Sequence, residues 1–111
     1  MSDDSERDET LFWDLIDELR AEDGRVEEGT IMSSRCVRVD GEFLALVNHK
    51  GSGLVVKLPR DRVGQLIAEG VGRPFAPAGR VFREWVSVPD PDPERWASLL
   101  REGVRFVATS D

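Results

Sequence analysis

With 111 residues, 40% of them apolar and 33% charged, the chain is long enough for one folded domain with its own core, without metal or disulfide. A single cysteine, Cys36, excludes an internal disulfide. Met1 to Glu6 lacks the basic start and apolar run of a secretion signal, and no segment approaches the ~20 apolar residues of a membrane span, so a cytoplasmic protein is expected. The formal net charge of −7 disfavours nucleic acid as a partner, since phosphate binding needs an excess of lysine and arginine. Residues 1–7 are expected to be a disordered acidic terminus and residues 8–111 a single domain.

Ser5 with Asp8 three residues later predicts a helix start. The helix that follows gathers Phe12, Leu15, Ile16 and Leu19 on one face and Asp14, Asp17, Glu18 and Glu22 on the other, and Gly24 stops it. Thr30–Met32 and Cys36–Val39 read as short strand segments. Asp40-Gly41 predicts a tight hairpin, because both central residues of that turn need positive φ. Phe43–Asn48 is the return strand, its unbroken apolar run predicting cover on both faces. Lys50 to Gly53 is a turn and Leu54–Leu58 a further strand.

Pro59 suits the first turn of a helix running to about Glu69, with Val63, Leu66 and Ile67 inward and Gly70 at its end. The glycines and prolines of Val71–Arg80 predict a loop. Val81–Val88 is the last strand, around Trp85. Asp92 caps a final helix with Pro93 at its first position and Trp96, Leu99, Leu100, Val104 and Val107 as its apolar stripe. The expected fold is α+β in two layers. It combines an antiparallel sheet of about four or five strands with three helices, in the order α-β-β-β-α-β-α.

Val39-Asp40-Gly41-Glu42-Phe43-Leu44-Ala45-Leu46, Lys57-Leu58-Pro59 leading into a helix, Pro74-Phe75-Ala76-Pro77 and Arg83-Glu84-Trp85-Val86 are similar, in that order, to the TfoX/Sxy N-terminal domain. The resemblance covers about Gly29 to Val107 and extends to the related YjbR/MmcQ group. It implies a secretion-chaperone-like α+β fold and a bacterial regulatory module without catalytic chemistry. For the YjbR side it implies a DNA-binding regulator.

The residues themselves carry little chemistry. His49 is the one histidine and lacks an imidazole partner for a metal, so no metal and no cofactor are expected. Cys36 reads as a buried strand residue. Gly51-Ser52-Gly53 lacks the spacing of a phosphate loop, and Gly70-x-Gly72 follows a helix rather than preceding one. No enzyme activity is expected, although the Val71–Arg80 loop could lid a small-ligand site.

The notable cluster is basic: Lys57, Arg60, Arg62, Arg73, Arg80 and Arg83, with Phe75, Phe82 and Trp85 among them. Arginines beside aromatics can hold an anion or nucleic acid; they can equally form salt bridges to the acidic first helix. Residues 1–28 hold twelve acidic residues and three arginines (−9), and the remainder ten acidic and twelve basic (+2). That division raises the idea that the acidic helix masks the basic cluster. A protein partner or a homodimer would use exposed rings such as Trp13 or Phe75.

Overall fold

Short-range signals fix most element ends in the computed structural model, which describes residues 3–31, 34–48, 53–76 and 79–109. Helix α1 spans Asp3–Glu22. It opens ahead of the expected Ser5 start, so residues 3–7, expected as a disordered tail, form its opening turns. Helix α2 spans Arg60–Ala68, with Pro59 as the residue before its first turn and Gly70 at φ +78° after its last. The Gly70 N–H donates to the Ile67 carbonyl and the Val71 N–H to the Leu66 carbonyl, at 3.1 and 3.0 Å, which satisfies the last carbonyls of the helix. Helix α3 spans Pro93–Thr109. The Asp92 carboxylate accepts from the N–H groups of Glu94 and Arg95 at 3.1 and 3.2 Å, the expected cap.

The strands are β1 (Val26–Ile31), β2 (Ser34–Val39), β3 (Glu42–Asn48), β4 (Gly53–Lys57), β5 (Arg73–Phe75) and β6 (Phe82–Val88). They form one antiparallel sheet in the order β1-β2-β3-β4-β6-β5. The α+β class and the three helices match expectation; the strand count among the described residues, six, exceeds the expected four or five. Two local events account for the difference. The segments around Thr30 and Cys36 belong to separate strands that pair from Val26↔Val39 to Ile31↔Ser34. The Val71–Arg80 stretch, expected to be all loop, contributes the three-residue β5. Pro74 is tolerated there because β5 is an edge strand. Asp40 and Gly41 have φ of 51° and 84°, as the hairpin requires, and Val39 pairs with Glu42.

All three helices cover one face of the sheet. Phe12, Ile16 and Leu19 of α1, Val63 and Leu66 of α2, and Trp96, Leu99, Leu100, Val104 and Val107 of α3 pack with Val37, Val39, Leu54, Val56, Val86 and Val88 in the main core. A bulge in β3 serves both faces. Val37 pairs with Ala45 and Arg38 with Phe43, so Leu44 is the extra residue. Leu44 and Ala45 therefore both join the helix-side core, while Phe43 and Leu46 turn to the opposite face.

Candidate functional site

The face away from the helices has its own smaller core. Cys36, Phe43, Leu46, Val55 and Phe75 are buried there, with Ile31, Phe82 and Trp85 packed against them. Trp85 is the centre. Phe43 stacks on it with ring centroids 4.0 Å apart and planes 19° from parallel. Phe82 and Phe75 stand 4.9 and 5.5 Å from it at similar tilts. The register explains the meeting: Lys57 of β4 pairs with Trp85, and Phe75 of β5 pairs with Phe82. Phe75, expected as an exposed docking ring, is buried; Trp13 of α1 is half-buried, with the Arg35 guanidinium 4.1 Å above it.

An open groove of about 620 Å³ lies beside this cluster, where β4 leaves for α2 and β6 begins. Lys57, Pro59, Arg60, Asp61, Phe82, Arg83, Glu84 and Trp85 line it. The Leu58 N–H donates to the Glu84 carbonyl at 2.8 Å and fastens the two walls together. Pro59 has no side chain able to cap α2.

The six basic residues of the expected cluster divide. Lys57, Arg60 and Arg83 meet in the groove. Arg80 lies next to them, its guanidinium 5.7 Å from the Phe82 ring centroid. Arg73 is exposed on the β5 edge opposite Ser87, at the far end of β6. Arg62 turns away to α3, where its Nε donates to Glu102 Oε1 at 2.9 Å and its terminal nitrogen to Oε2 at 3.2 Å. That carboxylate raises the Arg62 pKa further above its ordinary value. Among the described residues, Lys57, Arg60, Arg73, Arg80 and Arg83 form no salt bridge.

The idea that the acidic helix masks the basic cluster within one chain fails on geometry. Helix α1 packs on α3, β1, β3 and β4 from the helical side, whereas the groove's Trp85 belongs to the opposite face. The acids of α1 find other cations. Glu22 accepts from Arg101 of α3 at 3.0 Å, which holds its carboxyl below the ordinary value, by hydrogen bond first and by charge second.

Among the described residues, none of the other candidate chemistry of the sequence converges. Cys36 is fully buried, and burial pushes its thiol pKa up, against smaller opposing effects of Arg38. A raised pKa keeps it protonated and unreactive at neutral pH. His49 and the Gly51-Ser52 turn lie outside the described residues. Among the described residues no three His, Cys, Asp or Glu side chains are grouped to hold a metal, and no helix is long and apolar enough to cross a membrane.

No protein-family model, curated protein or solved structure matches the chain. The site must therefore be read from its own geometry, since an α+β fold by itself hosts many functions. Phe43 and Glu84 are the contributors that sequence reasoning missed. Phe43 follows the Asp40-Gly41 turn, and its pairing with Arg38, not the unbroken apolar run of its strand, sets the face it takes.

Proposed function

We propose that this chain is a non-catalytic interaction or regulatory module, of the TfoX/Sxy N-terminal kind that its sequence resembles. It acts in the bacterial cytoplasm and meets its partner at the groove where the sheet face away from the helices borders the start of α2. The observation that carries this reading is the groove: Lys57, Arg60 and Arg83 gather beside the half-exposed rings of Phe82 and Trp85 and form no salt bridge among the described residues. Arginine and aromatic side chains are enriched at protein contact surfaces. On the helical face, by contrast, Glu22 pairs with Arg101 and Glu102 with Arg62. The buried Cys36 thiol supports a binding role over a catalytic one.

The test is site-specific photo-cross-linking in the native cell, with benzoylphenylalanine in place of Arg83 in the groove or of Glu18 on α1. An adduct from the Arg83 position and none from Glu18 is expected. Adducts from Glu18 alone, or from neither position, would sink the proposal.

A further inference from the structure

Resting on the reading of this face as a docking surface, we propose that its groove takes an extended acidic peptide segment of a protein partner. Three features select that chemistry.

The first is charge. The chain has 22 carboxylates against 15 lysines and arginines, enough to neutralise every cation. Arg25, Arg35, Arg62 and Arg101 are each met by a carboxylate within 3.0 Å. Lys57, Arg60 and Arg83 are met by none among the described residues, and unlike Arg20, Arg38, Arg73 and Arg95, which also form no salt bridge there, they share one groove. Guanidinium groups with free donors bind carboxylates in paired, directional contacts, so the groove complements an acidic ligand.

The second is the interruption of that charge. Asp61 and Glu84 line the same groove. A nucleic-acid strand carries a phosphate at every step and would set like charge against both. A peptide alternates its acidic side chains with backbone N–H donors, which the two carboxylates can accept. The third is the state of the rings. Phe43, Phe75 and Phe82 stand near-parallel to Trp85 and engage it within the molecule. Sites for single-stranded nucleic acid need ring faces open to successive bases. The groove is also open to solvent, unlike the enclosed pocket of a small metabolite.

The experiment is fluorescence anisotropy on the full chain with three labelled probes. One is a peptide alternating glutamate with leucine, one is the same peptide with glutamine for glutamate, and one is a single-stranded oligonucleotide of equal charge. Saturable binding of the acidic peptide is expected. It should weaken at least roughly tenfold in the Arg60→Glu/Arg83→Glu double variant, and the glutamine peptide should not bind. Both side chains are exposed, so the variant keeps its fold, which thermal unfolding checks. An Arg60→Gln/Arg83→Gln variant should show a smaller loss in the same direction. The proposal is overturned if the acidic peptide fails to bind at millimolar concentration, if the double variant binds it equally well, or if the oligonucleotide binds more tightly. Self-association of the wild type that the double variant abolishes also overturns it, because the chain's own acidic helix would then fill the groove. A negative result here beside a positive cross-link at Arg83 removes the acidic peptide and leaves the docking face standing.

Discussion

Arg62 and Glu102 face each other across the α2–α3 boundary, with two nitrogens of one side chain donating to both oxygens of the other at 2.9 and 3.2 Å. The pair is part-buried, and Arg62 also donates to Gln65 at 2.9 Å. A fixed two-pronged contact keeps more of its strength than a floppy surface pair. Arg62→Ala is expected to lower stability by about 1 kcal/mol in urea denaturation. Arg60→Ala, at an exposed position without a salt bridge among the described residues, should stay within about 0.5 kcal/mol of the parent. Equal losses from both would show that Arg62 does not tie the two helices together.

Two helical glycines should respond in opposite directions to the same substitution. A Cβ on Gly103 would stand 2.7 Å from Leu44 Cδ1 and 3.0 Å from the Lys57 carbonyl oxygen, so α3 approaches the sheet at that point because no side chain intervenes. Overpacking there costs about 1–3 kcal/mol, more than the roughly 1 kcal/mol that alanine adds to helix propensity. A Cβ on Gly64 of α2 meets nothing within 4 Å. Gly103→Ala should lower the melting temperature and Gly64→Ala raise it, by about 0.5–1 kcal/mol of stability.

Trp85 is expected to be structural as well as superficial. It joins Phe43, Phe75 and Phe82 into one cluster. Trp85→Ala should cost about 2–4 kcal/mol, while the Arg60 and Arg83 variants leave stability nearly unchanged. Calorimetry on these variants therefore separates the groove's frame from its binding groups. A Trp85→Ala protein as stable as the parent would show that the aromatic cluster holds nothing together.

Asp23 provides a pH marker. Its carboxylate accepts from the Arg25 side chain and from the Arg25 backbone N–H, which together lower its pKa to about 2. A depressed carboxylate favours the folded state above its unfolded pKa, and that advantage is lost as pH falls from there through the folded value. The Asp23 contribution should thus be intact above about pH 4 and gone near 2. An NMR titration should find Asp23 still ionised at pH 3, and Arg25→Gln should move its midpoint up into the ordinary carboxylate range.

What the sequence revealed depends on how local the cause is. Asp92 with Pro93, Asp40 with Gly41, and Gly70 act within a few residues, and each element end appears where those signals stand. Strand β1 lacks such a signal: Glu27 and Glu28 break its apolar pattern, and its bounds follow from pairing with β2. Strand β5 is hidden for the same reason, as Arg73-Pro74-Phe75 becomes a strand only against β6. The basic cluster was legible as a composition and not as a surface. Arg62 and Arg60 are two residues apart, yet one reaches a glutamate forty positions downstream while the other lines the groove.

The doubled step at Leu44 and Ala45 gives β3 a built-in tolerance to length change. With Ala45 deleted, Val37 would meet Leu44 and the ladder back to the Asp40-Gly41 turn would run without interruption. Phe43 and Leu46 would keep their facing, because alternation is then restored rather than broken. Removing Leu46 instead leaves the doubled step in place and sends Val47 to the wrong side. Shortened forms of this strand should therefore survive with the loss at the inserted position, and homologues of different length should differ there before they differ anywhere else in the strand.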